Sequence, residues 1–390
     1  MRLQRRLAIG GGIAAVMLFS CGGGGGGGIG GTGIIRMALT DAPACGYDAV
    51  NVTIEKLRVH ADADAAPNDA GWADIVLAPA QRVDLLTLQN GVLQALGETA
   101  LVAGHYSQVR MVLAENGRLA PLANSVVPSG QAEAPLDTQG SSKGGIKIKL
   151  DQRVEAGQVV DVVLDFDACR SIVRAGDSGR FKLKPVVTAM ELLAPGAQGV
   201  VGYVDPSLPM ADTRVSVQAG GVQVKATTPD SAGKFFLYPV PIGKYDLVVS
   251  AAGRVTAVVT GVPVDQIAFT YLNSALAPIA PANLQAGDRV VAGRLQPATA
   301  TVRAWQKLSD GATVEAAYGP VDSLSGGYSV ALPIDAPWTA AYAPDRATIA
   351  FAPDEAAAGQ YTVEASSEGR LKWRGVDTRQ PVPPVNFTFP

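Results

Sequence analysis

Histidine is almost missing from this sequence, whose 390 residues contain only His60 and His105. A Ser-His-Asp triad or a three-histidine zinc centre therefore has almost no raw material. Cysteine is nearly as scarce, with Cys21, Cys45 and Cys169 and no C-x-x-C. Charged residues make up 17% and the formal net charge is −3, so there is no general drive toward nucleic acid. P-loop, dinucleotide fingerprint and nucleophile elbow are all absent. These gaps leave no cofactor or metal to expect and argue against an enzyme. Glycine and proline, by contrast, are plentiful at 44 and 26 residues. They interrupt helices and suit tight connections, so the composition predicts many short strands joined by turns.

The amino terminus is ordered as a targeting segment. Arg2, Arg5 and Arg6 precede an apolar run from Leu7 to Phe19, of signal-peptide length and too short to be kept as a membrane span. Leu18-Phe19-Ser20-Cys21 resembles a bacterial lipobox, which implies a signal peptide over residues 1–20 and an acylated Cys21 as the mature amino terminus. Residues 21–33, almost pure glycine after the cysteine, read as a flexible tether to the membrane. Gly22 rather than Asp after Cys21 resembles the sorting choice for the outer membrane. Cys45 and Cys169 then remain, and in an oxidising envelope compartment they are expected to pair as a disulfide.

The mature chain, about 370 residues, is long enough for two or three domains. From Ile34 to about Leu193 apolar residues alternate. The expected strands run over Val50–Val59, Tyr106–Leu113, Ile146–Leu150, Val159–Phe166 and Phe181–Val187. Asp84 to Leu96 reads as a short helix or turn interrupted at Asn90-Gly91. Leu39-Thr40-Asp41-Ala42-Pro43, Ala49 to Ile54, Val83 to Leu88, Ala103 to Arg110 and Phe181-Lys182-Leu183-Lys184-Pro185 resemble the bacterial domain of unknown function 4382. That resemblance implies an extracytoplasmic, all-β first domain over 34–193 and supplies no catalytic residue.

A second unit, 198–275, contains Gly199 to Val204, Arg214 to Val217, Asp230-Ser231-Ala232-Gly233-Lys234-Phe235 and Gly243-Lys244-Tyr245. These resemble the carboxypeptidase regulatory-like, transthyretin-type sandwich, grouped with carbohydrate-binding-like folds. Residues 276–291, rich in Pro and Ala, read as a linker. A diverged repeat over 292–390 echoes the same steps in Val302 to Gln306, Ser325-Gly326-Gly327-Tyr328 and Gly359-Gln360-Tyr361. The expectation is three consecutive β-sandwich domains after a lipoprotein signal and tether.

Four groups could carry chemistry. The loop from His60 to Asp69 has oxygens for calcium but lacks the glutamate and central glycine of an EF-hand, so a solvated loop is favoured. Asp161, Asp165 and Asp167 share a strand face, as paired catalytic carboxylates sometimes do, and as plain polar-out alternation also does. If their strands are neighbours, Lys147, Lys149, Lys182 and Lys184 form a basic strip for lipid phosphate or acidic glycan. Exposed Trp305, Trp338 and Trp373 would be needed for a sugar-stacking platform. The resulting expectation is a lipid-anchored envelope protein acting as a non-enzymatic binding or structural module. A carbohydrate-binding module is the alternative, with an envelope glycan hydrolase behind it. Its expected partners are the membrane, through the anchor, and an envelope glycan or protein.

Overall fold

The computed structural model describes residues 31–41, 46–139, 141, 143–193, 196–344 and 348–390. Cys21, most of the glycine tether, and Cys45 lie outside the described residues. The described chain is nearly all β, arranged as three pairs of facing sheets. No helix among the described residues is long and apolar enough to cross a membrane.

The first sandwich pairs a four-stranded sheet with an eight-stranded one. The smaller sheet runs Val187–Glu191, Val159–Phe166, Thr32–Asp41, Gln94–Val102. Thr32–Asp41 lies parallel to Val159–Phe166, with Ile34 opposite Val159 and Asp41 opposite Phe166. In the larger sheet Tyr47–His60 is central, flanked by Gly104–Leu113 and Ser125–Pro128, with Ile146–Val154 at one edge and Ile172–Arg174 at the other. Alternation turns Ile35, Met37 and Leu39 toward Val52, Ile54 and Leu57, all nearly inaccessible.

One expected strand is two. Phe181–Leu183 belongs to the larger sheet and Val187–Glu191 to the smaller, so the expected strand Phe181–Val187 is corrected. Pro185 has no N–H to give a ladder. Around it the chain crosses between layers, with Lys184 N donating to Ser171 O and Val186 N to Ser171 Oγ. Over Asp84 to Leu96 the short-helix alternative holds for one turn: Asp84 caps the 3-10 turn Leu85–Leu88, Asn90 and Gly91 take positive φ, and a strand starts at Gln94.

The second sandwich faces Lys234–Leu237, Val200–Tyr203 and Thr270–Tyr271 against a six-stranded sheet. That sheet starts with Val222–Thr227, Thr213–Ala219, Gly243–Ala251 and Ala257–Val264. It then takes Trp338–Ala341 and Ala352–Pro353 from the segment that also builds the third sandwich. Residues 276–286 run along the second sandwich: Ile279 N donates to Tyr203 O, Val255 N to Ala282 O, and Ile279 is 2% exposed in that core. The third sandwich faces Gly327–Pro333, Asp288–Gln296 and Phe387–Thr388 against Thr313–Gly319, Thr301–Lys307, Gln360–Ser367 and Arg370–Asp377.

Repeated sequence steps take repeated shapes. Asp230 Oδ1 accepts from Ala232 N and Lys234 N, and Gly233, at φ 77°, brings its α-carbon so near Val204 O that a Cβ would lie 2.0 Å from it. In the third sandwich Asp322 Oδ1 accepts from Leu324 N and Ser325 N, and a Cβ on Gly326, at φ 68°, would lie 2.2 Å from Leu295 O. The Gly-x-Tyr step recurs in all three: Tyr106, Tyr245 and Tyr361 each bury a ring and donate the hydroxyl to the main-chain oxygen of Val102, Pro241 and Pro333.

Candidate functional site

Two places gather polar side chains from different sandwiches. The first is a buried ionic junction of all three. The one-turn helix Ala168–Ser171 is capped by Asp167 and projects Arg170 from the first sandwich. Arg170 reaches Glu315 of the third sandwich in a close ion pair, stacks over the Tyr318 ring at 4.8 Å, and donates to Gln223 Oε1 of the second at 3.3 Å. Gln223 Nε2 donates to Asp167 Oδ2 at 3.0 Å, and Arg214 lies 3.9 Å from the same carboxylate. The Glu315 backbone is gripped by Gln218, whose side-chain oxygen accepts from Glu315 N at 2.6 Å while its amide donates to Glu315 O at 3.0 Å. Arg303 completes the ring with Glu364 at 2.8 Å and Glu315 at 3.9 Å.

Deeper still, Lys225 Nζ lies 2.6 Å from Asp165 Oδ1 and 3.3 Å from the main-chain oxygen of Asp41. Burial dominates the titration of this region, since a charge there loses its water. Burial holds the carboxyls of Asp41, Asp165 and Glu315 above their usual range, although Lys225 pulls Asp165 down and Arg170 pulls Glu315 down. The Tyr318 hydroxyl is pushed up to about 12 for the same reason. Every carboxylate here already has a cationic or amide partner inside the protein. The arrangement is a fastening.

The second place is open. A cleft of about 930 Å³ separates the first sandwich from the third, lined by Tyr47, Arg174, Arg180, Phe181, Asp322 and Tyr328 among others. Tyr47 and Phe181 meet edge to face at 6.1 Å, and the exposed Arg174 guanidinium lies 5.9 Å from the Phe181 ring centre. Asp322 faces the cleft with its oxygens occupied, Oδ1 by Ser325 N and Leu324 N and Oδ2 by Gly176 N at 2.5 Å. Those backbone donors hold its carboxyl below the usual range. Ser323 N donates to Arg174 O at 3.0 Å, tying the two walls together at the floor. The exposed cations of the cleft are thus Arg174, beside the Phe181 ring, and Arg180, whose Nε also donates to Ser178 Oγ at 3.4 Å, a pair that suits an anionic, ring-bearing ligand.

The candidates read from sequence fall elsewhere. Lys147 and Lys149 lie on the edge strand Ile146–Val154, and Lys182 on Phe181–Leu183 near the opposite edge of the same sheet, with four strands between. The four lysines do not form one strip. Lys147 pairs with Asp64 at 3.2 Å, and Lys184 reaches across to the main-chain oxygens of Thr299 and Ala300 in the third sandwich. Its ammonium is lowered by that burial.

The loop from His60 to Asp69 folds on itself. Asp62 Oδ1 accepts from Asp64 N, Asp69 Oδ2 from Ala66 N, and the inaccessible Gln108 amide donates to the main-chain oxygens of Asp62, Ala63 and Ala65. Trp72 closes it against His60 at 4.8 Å. Among the described residues no group of three or more His, Cys, Asp or Glu is placed to hold a metal ion. His105 Nε2 lies 2.6 Å from Asp151 Oδ1 at the surface.

Asp161 forms a two-pronged pair with Arg36 at 2.6 Å, and Asp165 and Asp167 enter the junction, so the three carboxylates are separately engaged. Trp305 and Trp373 are on one sheet of the third sandwich while Trp338 is in the sheet of the second. Cys169 sits in the helix beside Arg214, whose Nη1 is 3.9 Å from its sulfur; its expected partner Cys45 lies outside the described residues.

The sequence did not point to the junction. Gln223 and Lys225 alternate with Val222, Val224 and Ala226 as on a solvated strand face, and only the neighbouring sandwiches turn that face inward. The cleft was equally hidden, being built from loops and strand ends of segments far apart in the chain.

Comparison with known proteins adds a family for one segment. No curated protein matches the chain. Two solved structures of type II cohesin–X-dockerin complexes from Acetivibrio cellulolyticus, a C-terminal and an N-terminal interface mutant, are 25% and 26% identical over 22% and 23% of this chain. The chain spans 58% and 59% of their lengths, with TM-scores of 0.19 and 0.20. Ligand-free PulA from Klebsiella pneumoniae is 13% identical, with 79% of this chain and 29% of that one covered and a TM-score of 0.16. Overlaps at such scores carry no argument about this protein. The family match coincides with the first sandwich: residues 32–185 match the Domain of unknown function (DUF4382).

Proposed function

We propose that this is a lipid-anchored protein of the bacterial outer membrane, acting as a non-enzymatic binding module whose three sandwiches are held as one body. In this reading its ligand is an acidic envelope glycan bound in the cleft between the first and third sandwiches. One observation carries it: Arg174 and Arg180 face an open cleft beside Tyr47 and Phe181, while the carboxylate that shares the cleft, Asp322, is saturated by backbone donors. Guanidiniums bind carboxylate or sulfate groups in pairs of charge-assisted hydrogen bonds, and aromatic rings pack against sugar faces. The buried junction supports a scaffold role, because its acids and bases neutralise one another away from any opening. In the same reading the second and third sandwiches are carboxypeptidase regulatory-like modules, Cys21 carries the lipid, and Cys45 bridges Cys169.

A glycan screen of the soluble chain from residue 31 onward tests the ligand. Acidic glycans are expected to bind, more weakly as salt rises. The double change Arg174→Ala and Arg180→Ala is expected to weaken binding at least about tenfold, each charged hydrogen bond being worth about 1.5–3 kcal/mol. Equal binding by the double variant would refute the cleft, and release of shortened glycan would refute the non-enzymatic reading.

The anchor has its own test. Several buried acyl chains at about 0.8 kcal/mol per methylene make attachment effectively permanent. The full chain is expected to take up labelled palmitate and sediment with membranes, and Cys21→Ala to do neither. Continued labelling of the variant would remove Cys21 from the proposal.

A further inference from the structure

Among the described residues Lys225 is the one lysine in the buried interior, its side chain 1% exposed, in contact with Asp165 at 8%. Lysine is almost never buried this completely without a partner. Here the partner belongs to a different sandwich. The ammonium is held on two sides, by Asp165 Oδ1 at 2.6 Å and by the main-chain oxygen of Asp41 at 3.3 Å, so the nitrogen is fixed against one particular carboxyl. The backbone on both sides is fixed too: Lys225 is opposite Val217 in the second sandwich, and Asp165 is opposite Thr40 in the first. We propose that Lys225 and Asp165 condense to an isopeptide bond that joins the second sandwich covalently to the first.

The step balances within the pair. A proton passes from Lys225 Nζ to Asp165 Oδ1 along the existing hydrogen bond, converting ammonium and carboxylate into amine and carboxylic acid. The nitrogen lone pair then attacks Asp165 Cγ. The C–N bond forms, the C–OH bond breaks, and the hydroxyl leaves with a second proton from nitrogen as water. No oxidant, reductant or activated co-reactant enters.

The setting favours each part. Loss of solvent disfavours separated charges and favours the neutral amine and acid needed for attack. Burial already holds the Asp165 carboxyl toward its protonated form. Two further acids bear on the pair: Asp41, raised well above its usual range, with Oδ2 buried and without a hydrogen-bond partner, and Asp167. Holding nucleophile and carbonyl in one geometry converts a bimolecular step into a unimolecular one. The other buried cations of the junction, Arg170 and Arg214, carry guanidiniums that stay protonated, so the same reaction is closed to them.

Peptide mapping of the full chain tests the bond directly. The protein is denatured, reduced, treated with acetic anhydride to mark free amines, and digested. The expected product is a branched peptide joining the segment of Lys225 to that of Asp165, lighter than the two together by one water, about 18 Da, with no acetyl group on Lys225. Lys225→Arg keeps a cation in the site but removes the amine, and is expected to lose the branched peptide, as is Asp165→Ala. If neither variant folds, the wild-type map decides alone. Linear peptides with acetylated Lys225 would overturn the proposal, as would a water loss that maps within the Asp165 segment by itself or persists in Lys225→Arg.

Discussion

At the scale of single residues the molecule spends its few charges in pairs, and Glu315 shows what burial costs. Its side chain is 6% exposed between Arg170 and Arg303, yet burial outweighs their pull and holds its carboxyl above the usual carboxylate range. The sign for stability follows from linkage. A carboxyl whose folded pKa is raised contributes stability that is full below the unfolded value and is lost as pH rises through the folded value, where the folded chain must bury a charge. Unfolding in urea from about pH 4 to pH 7 should therefore show wild-type stability falling as pH rises, at up to about 1.4 kcal/mol per pH unit for one proton. Glu315→Gln should have a flatter profile over the same range. Some slope should persist, because Asp41 is raised in the same direction. Identical slopes for the two proteins would mean that Glu315 is ionised as readily in the fold as out of it.

At the scale of elements, what could be read in advance depended on where each strand's instructions reside. Val159–Phe166 was legible to the residue because Val and Leu fill it and its ends coincide with turns. Tyr47–His60 and Gly104–Leu113 were legible in their centres and extended outward in the fold, since pairing partners add residues that alternation alone does not mark. The turns were legible where chemistry forces them, as at Asp230 to Gly233 and at Asn90-Gly91. Phe181–Val187 misled because its apolar spacing continues through Pro185 while the chain changes layer there. Trp338–Ala341 was beyond reading, because its pairing with Ala257–Val264 is decided by a strand some eighty positions earlier in the chain. Register with a distant partner leaves no local trace. The candidate site suffered most from this. The lysines of Ile146–Val154 and Phe181–Leu183 make one strip only if their strands are neighbours, and sheet order puts those strands near opposite edges.

For the whole molecule the question is whether three sandwiches behave as three or as one. Residues 31–390 form a single compact unit in which strands, a linker and a charged junction cross between cores. Three cores are distinct, with Val52, Ile54 and Leu57 in one, Val215, Leu247 and Val259 in the next and Val302, Val363 and Phe387 in the third, while a smaller apolar cluster joins Val248 and Val258 of the second sandwich to Leu308, Val314 and Ala357 of the third. Separate cores alone would melt separately. Arg170 is the residue placed to prevent this, because it touches Gln223 in the second sandwich and Glu315 and Tyr318 in the third while anchored beside Asp167 in the first. Arg170→Ala would leave Glu315 only Arg303 at 3.9 Å and deprive Asp167 of its nearest cation, both acids being buried. Removing one partner of such a pair costs about 3–5 kcal/mol. Calorimetry of the chain from residue 31 onward should therefore show one transition for wild type and, for Arg170→Ala, a lowered and split one. Arg36→Ala is the control: it also removes a two-pronged carboxylate pair, with Asp161, but one whose arginine is 51% exposed. An exposed pair is worth no more than about 1 kcal/mol, so this variant should retain the single transition. Were both variants to melt like wild type, the sandwiches would be held together by their strand crossings and apolar contacts, and the ionic junction would only be neutralising itself.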